Sequence, residues 1–424
     1  MCGILFTNDP NVGKDKFLNT LKLITHRGPD AQGGYHEHDN IKLGHNRLKI
    51  LDLEERSNQP FWSADKRFVI IFNGEIYNYR HLAKEHKIKT RTTSDTEVLL
   101  ELYVKYGPKM LDYLNGMFTI IILNTETSEI FVARDRLGIK PLYLHRNGAT
   151  MSFSSEMAPM LELTGISEFD WVGLRQYLKL RVFFNGRTSY SGIEMFPAGH
   201  YMLDGKIQRY WELPAGEKEG PDDDELRELI VSAVNYRCLS DVPVGSLLSG
   251  GLDSSIVAQL AGNPHTWVAG FAEDNEFKWA RLASTIEDRI HTEVVIEPEE
   301  YLELSREMIQ RRREPLSIPH EAMIYKMSKQ IKTKNTVILT GEGADELFFG
   351  YDRIFRWAAE NEWDLEEFSK RYSYGSHDDL EIVEDAVSPF LHYGRPIDVI
   401  AAFFQIAHLH GILCRLDYAT MQSA

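Results

Sequence analysis

Residues 242–255 read VPVGSLLSGGLDSS, and this stretch decides the fold of the second half of the chain. A short apolar run ends in two glycines, and a helical pattern, SSIVAQLA at 254–261, follows at once. Strand, tight turn and helix in that order form one unit of a parallel sheet. The runs TWVAGF at 266–271 and TVILTG at 336–341 repeat the device. In such sheets ligands sit at the carboxyl ends of the strands. There, Gly250 and Gly251 let the backbone turn, and the hydroxyls of Ser249, Ser254 and Ser255 stand beside the amides that open the helix. Those amides make an anion cradle. No lysine follows the glycines, so the pattern is not a Walker loop. A second strand end, TGEGADE at 340–346, adds Glu342, Asp345 and Glu346 beside Gly341 and Gly343.

Upstream, PAGEKEGPDDDE at 214–225 is polar, acidic and rich in glycine and proline, and reads as a linker. DELRELIVSAVNYRCL at 224–239 then has apolar residues at helical spacing behind acidic residues that suit the helix dipole. Before the linker the pattern is mostly strand: CGILF at 2–6, FVIIF at 68–72, MFTIIIL at 117–123, EIFVA at 129–133 and MSFSS at 151–155. EVLLELYVKYG at 97–107 reads as an amphipathic helix ending at Gly107 with Pro108 behind it.

The chain of 424 residues is too long for one core. We divide it into a strand-rich domain at 1–206, a linker at 207–223 and an α/β domain at 224–424. A net charge of −16 argues against a nucleic-acid or anionic-membrane partner. Three well-separated cysteines make neither a zinc ribbon nor a disulfide framework, and a reducing cytoplasm suits them. No stretch reads as a membrane span or a signal peptide.

The start of the chain, MCGILF, has two readings. Cys2 is a small apolar residue at the head of a buried strand. Alternatively, removal of Met1 gives Cys2 both a thiol and a free amine, so nucleophile and base share one residue. A thiol that attacks an amide needs donors for the oxyanion. FNGEIYN at 72–78 offers the Asn73 side-chain amide and the Gly74 N–H, although an Asn-Gly pair between two strands reads locally as a hairpin turn. Arg47 in GHNRLKILD has the planar fork that suits a carboxylate, or is a surface cation. Asp95 in TTSDTEV suits an ammonium group, or caps the helix that follows.

Together the motifs carry a resemblance. MCGI, HRGPD (26–30), GHNRL (44–48), QP (59–60), NGEIYN (73–78), SDTE (94–97), GMF (116–118) and ARDRLGIKPLY (133–143) resemble the class II glutamine amidotransferase domain. SGGLDSS resembles the pyrophosphate loop of ATP pyrophosphatases. With TGEGADELFFGY (340–351) the whole resembles the glutamine-hydrolysing asparagine synthetase family of the bacterial B type. The resemblance implies an N-terminal αββα sandwich of antiparallel sheets, then a parallel nucleotide-binding domain. It implies Cys2 as nucleophile, Asn73 and Gly74 as oxyanion donors, and Arg47, Glu75 and Asp95 as the glutamine clamp. ATP would lie on Leu247, Leu248, Ser249, Gly250, Gly251, Asp253, Ser254, Gly270 and Gly341. Asp253 and Asp345, hard oxygen donors, would hold Mg²⁺, and Glu342 would be the base for incoming ammonia. The implied substrates are glutamine, ATP and aspartate, with a sugar acid or other carboxylate as the alternative acceptor.

The family's pattern continues past HLHGILCRLDYATMQSA into a Glu-x-Arg-x-Pro-Phe-type segment and a lysine, which this chain lacks. A complementing C-terminal polypeptide, or a glutaminase-only subunit, is expected beside the complete synthetase, and a homodimer is a further partner. His36 and His38 in YHEHDN read as a solvated loop, and His408 and His410 as helix packing. RRR at 311–313 reads as a helix face, and Cys238 and Cys414 as core.

Overall fold

The computed structural model describes residues 1–215, 220–287, 289–375 and 379–424. Residues 216–219 of the expected linker lie outside that set.

Two six-stranded antiparallel sheets make the first half. One runs Ile193–Met195, Tyr143–Asn147, Thr150–Ser154, Gly3–Thr7, Ile41–Arg47, Ala31–His38 across its width. The other runs Lys206–Arg209, His200–Leu203, Ile130–Arg134, Gly116–Asn124, Phe68–Ile76, Phe61–Trp62. Alternation along each strand puts successive residues on opposite faces. In FVIIF, Val69 and Ile71 meet Ile4, Phe6 and Leu43 between the sheets, while Ile70 and Phe72 face Leu99, Leu102 and Tyr103 of the helix Asp95–Tyr106. On the far side Leu5 packs on Phe17, Leu21 and Leu163 of the outer helices. The result is four layers, helix–sheet–sheet–helix, as the resemblance implied.

The helix Asp95–Tyr106 starts two residues before EVLL, and its Ser94 cap accepts from the Thr96 N–H. It ends at Gly107, where φ is +56°. Three further expectations change. The strand Lys206–Arg209 pairs with His200–Leu203, so the first unit runs past residue 206. YHEHDN is not a loop, because Ala31–His38 is an edge strand and His36 packs edge-on against Trp62 at 5.0 Å. Cys238 is only half-buried, whereas Cys414 is buried.

The second half holds a four-stranded parallel sheet in the order Ile290–Ile296, His265–Phe271, Val244–Leu247, Val337–Leu339. The helix Asp223–Arg237 precedes it, capped by Asp222, which accepts from the Glu225 N–H at 2.8 Å. The helix Leu252–Ala261 follows the glycine turn. After the sheet the chain is helical. The run Pro396–Met421 is long and apolar enough to cross a membrane, contrary to the expectation that no stretch is. Here it packs within the molecule. Val399, Ile400, Phe403 and Phe404 join Phe368 and Val383 in one cluster, and Asp417 is buried in ion pairs.

The halves share polar contacts. Tyr143 donates to Glu314 Oε2 at 2.6 Å and shares a hydrogen bond with Tyr418 at 2.5 Å, and the Asp52 N–H donates to Asp241 Oδ2 at 2.8 Å.

Candidate active sites

The first cluster forms where the strands Gly3–Thr7 and Phe68–Ile76 end side by side. Cys2 is buried at the head of its strand, and its backbone N–H donates to Asn73 Oδ1 at 2.9 Å. Asn73 and Gly74 are not in a turn. They continue the strand, paired with Thr119 and Phe118, because the long partner Gly116–Asn124 holds both in its ladder. A Cβ on Gly74 would sit 2.1 Å from the Met117 carbonyl oxygen, so only glycine fits there. Asn73 is fully buried, and its Nδ2 has no protein partner. A buried donor left unpaired is costly. Here it lies on the residue that holds the Cys2 nitrogen.

Glu75 and Asp95 stand on the same side. Asp95 Oδ2 accepts from the Ile76 N–H at 3.0 Å, which ties its helix to the strand end; Ser94 is the cap. Burial first, then Asp95, pushes the Glu75 carboxyl up to about 7. Burial also lifts Asp95 to about 6, against hydrogen bonds from Ile76 and Thr96 and the charge of Arg47. A cation placed between them would restore both to carboxylates.

Arg47 is buried, not a surface cation. Its Nη1 donates to the Glu54 carbonyl and Asn58 Oδ1, both at 2.9 Å. Its Nη2 donates to the carbonyls of Leu51 at 3.0 Å and Asp52 at 2.5 Å. It therefore holds the 51–58 loop in this state.

Met1 is buried as well and joins the core beside Ile50, Leu51 and Met421. Burial lowers its amine to about 6; the Cys2 thiolate charge opposes this, and Lys140 and Arg27 add to it. Burial raises the Cys2 thiol, against the pull of that amine.

His26 and Arg27 open the HRGPD motif, and sequence reading assigned neither a role. Arg27 is fully buried and donates through Nε to the Cys2 carbonyl at 3.1 Å. His45 is the other residue missed. Its Nε2 lies 3.2 Å from the Phe72 carbonyl, which only the ε-protonated ring can donate to, and its Nδ1 is buried without a partner. Burial holds it neutral, with its pKa down to about 3. The GHNRL motif was the available signal for it.

The second cluster lies at the carboxyl ends of the parallel strands. The Leu248 N–H donates to the Trp267 carbonyl at 2.9 Å, which continues the strand of Leu247 to the turn. Gly250 has φ +88°, and a Cβ there would meet the Trp279 carbonyl carbon at 2.4 Å. The Gly251 N–H donates to Ser249 Oγ at 3.2 Å, and the Ser249 and Ser254 hydroxyls are 3.0 Å apart. The two glycine-bearing strand ends touch: a Cβ on Gly341 would sit 2.8 Å from the Asp253 carbonyl carbon and from the Ser254 nitrogen. Gly270 closes against the following loop, where a Cβ would meet Asn275 at 2.6 Å. Glu342 and Asp345 are exposed and Asp253 is half-buried around this junction, and among the described residues none of them forms an ion pair. Asp253 and Asp345, each in the first turn of its helix, carry the hard oxygens a divalent cation takes, although among the described residues no three His, Cys, Asp or Glu side chains gather as a metal-holding group. Behind them Glu346 is buried, hydrogen-bonded by Tyr351, with His408 Nε2 at 3.6 Å and Tyr372 on the other histidine nitrogen at 2.8 Å. His408 is therefore internal packing, as expected. In the RRR run, Arg312 is not on an open face but buried on Glu321 at 2.6 Å.

The comparisons with known proteins follow the same division. The glutamine amidotransferase domain family matches residues 1–211 and the asparagine synthase family matches residues 225–393. Glutamine-hydrolyzing asparagine synthetase 1 of Bacillus subtilis is 35% identical over 382 residues, covering 84% of this chain and 60% of that protein. Asparagine synthetase B of Escherichia coli is 31% identical, covering 86% of this chain and 66% of that protein. The putative asparagine synthetase 2 of Methanocaldococcus jannaschii is 32% identical, covering 83% and 76%. The chain thus spans less than two thirds of the length of the two bacterial relatives. With both domain families in order along the chain and this agreement with the archaeal relative, the protein belongs to the glutamine-hydrolysing asparagine synthetase family.

Proposed function

We propose that this protein forms asparagine from aspartate and ATP with the amide nitrogen of glutamine. The observation that carries the reading is the Cys2–Asn73 pair: Asn73 holds the Cys2 nitrogen through Oδ1 and keeps a buried, unpartnered Nδ2 beside it. Once Met1 is removed, that nitrogen is the free amine. It takes the thiol proton as Sγ attacks the glutamine carboxamide, and the oxyanion gathers on Asn73 Nδ2 and the Gly74 N–H. The amine returns its proton to the leaving ammonia, and water then releases glutamate from the thioester. Glu75 and Asp95 receive the substrate ammonium. Arg47 receives the α-carboxylate by exchanging loop carbonyls for it.

In the second half, ATP phosphates rest on Ser249, Gly250, Gly251 and Ser254. Leu247, Leu248 and Gly270 border the nucleoside, and Gly341 closes the turn. Mg²⁺, held by Asp253 and Asp345, would screen the phosphate charge. Aspartate attacks the α-phosphate with loss of pyrophosphate; neutral ammonia then adds to the acyl carbon, Glu342 takes the proton its nitrogen sheds, and AMP leaves. A cavity of about 460 Å³ lined by Arg134 and Tyr143 from one half and Cys414 and Tyr418 from the other supports an internal route for the ammonia. The free thiols of Cys2, Cys238 and Cys414 support a cytoplasmic setting. The open apolar side chains Leu252, Phe348 and Phe349 beside the phosphate loop support a polypeptide partner, a complementing chain or a second copy, that covers them.

Glutamate release from glutamine by the full chain tests the first step. Cys2→Ala is expected to abolish it, and release that persists in Cys2→Ala overturns the reading.

A further inference from the structure

Asp417 belongs to the second half, on the helix Leu409–Met421, yet it is buried among cations of the first. Its Oδ2 accepts from Arg27 Nη2 at 2.6 Å and its Oδ1 from Lys140 Nζ at 2.8 Å. The same Arg27 guanidinium donates to Glu156 Oε1 at 3.1 Å and to the Cys2 carbonyl at 3.1 Å. Glu156 in turn is paired with His26 at 2.9 Å. Arg27 therefore has three anchors, and the one on the far side from Glu156 comes from the other half of the molecule. Two buried cations, Arg27 and Lys140, are matched by two buried carboxylates, Asp417 and Glu156.

We propose that Asp417 is a positioning residue for glutamine hydrolysis: it aims Arg27 at the Cys2 carbonyl and screens Arg27 and Lys140 from the Cys2 amine and thiol. The proposal rests on the reading of Cys2 as nucleophile. It means that the glutaminase site is completed by the second half of the chain. The charged groups that act on the Met1 amine are Arg27, Lys140 and Glu75, and those that act on the Cys2 sulfur are that amine, Arg47 and Asp95, with the neutral His45 facing Arg47 and the amine. Deleting the Asp417 charge leaves one of the two cations uncompensated among them. A surplus positive charge favours the neutral amine and the thiolate, so both ionisations move to lower pH.

The test measures kcat and KM for glutamine against pH, and the pH dependence of Cys2 alkylation by iodoacetamide followed on the Cys2 peptide. Asp417→Asn is expected to lower kcat about tenfold or more, because the nucleophile is less well held. KM stays within about twofold, since Glu75, Asp95 and Arg47 are untouched. The acid limb of both profiles moves to lower pH, and Asp417→Glu restores it. Lys140→Met removes a cation instead, and moves the limb the opposite way. Should Asp417→Asn fail to fold, the Lys140→Met shift decides. Unmoved profiles in folded variants overturn the proposal, as does an activity loss that only tracks melting temperature. Glutamate release by Cys2→Ala would instead remove the reading beneath it, so the two failures are distinct.

Discussion

Two carboxyl groups buried side by side are costly until a cation arrives, and Glu75 and Asp95 are held in that state. The linkage has a definite sign. Glu75 is raised from 4.5 to about 7, so the folded chain prefers its proton, and stability is lost as pH rises through that window. Glu75→Gln is therefore expected to be more stable than the parent at pH 8 by on the order of 3 kcal/mol, with no difference below about pH 4.5. Its KM for glutamine should rise about tenfold or more, since the substrate ammonium loses its counter-ion. Urea melts at the two pH values, with glutamine kinetics, check it; a variant less stable than the parent at pH 8 contradicts it. At this scale the sequence picked out residues that the fold brings together, but not how they sit. Asp95 and Arg47 have ordinary local readings, cap and surface cation, and the structure gives neither. Asn73 failed locally because Asn-Gly prefers a turn, whereas nine residues of strand pairing override that preference.

The strand–glycine–helix elements were legible because their geometry is written in consecutive residues. Gly250 is the example: a positive φ and the close Trp279 main chain leave no room for a side chain. Gly250→Ala is expected to cost roughly 1–3 kcal/mol and to abolish nucleotide binding. Urea denaturation and binding of a fluorescent ATP analogue report the two effects separately, and an alanine variant that binds as the parent does contradicts this account of the turn. Elements set by distant packing were harder to read. YHEHDN looked like a loop because its residues are polar and charged, yet it closes a hairpin: the edge strand Ala31–His38 turns at Asp39 and Asn40 and pairs with Ile41–Arg47. The helical run from Pro396 to Met421 includes a wide turn at Phe404–His408, and that turn is where His408 reaches Glu346 of the acidic strand end. One helical run thus touches the acidic strand end through His408 and, through Asp417, the Arg27 that donates to the Cys2 carbonyl.

Across the whole molecule, the order of motifs made the two halves legible, and the joint between them was not. Arg27 and Asp417 are 390 residues apart, and no local pattern marks an ion pair of that span. Burial opposes charge on Asp417, but Arg27 and Lys140 outweigh it and hold the carboxyl at about 2. The joint is therefore intact at neutral pH, and its contribution is lost only as pH falls from about 3.8 towards 2. The joint ties the half that carries Cys2 to the half that carries the glycine turns, and the proposed transfer of nitrogen between them is the central claim. The direct measurement supplies glutamine labelled with ¹⁵N in its amide, with aspartate and Mg·ATP, and follows the label by mass spectrometry in the presence of unlabelled ammonium. The account predicts ¹⁵N-asparagine and AMP in equal amounts, with glutamate at least equal to both. Asparagine carrying the unlabelled nitrogen of the medium, or glutamate formed with neither asparagine nor AMP, would contradict it.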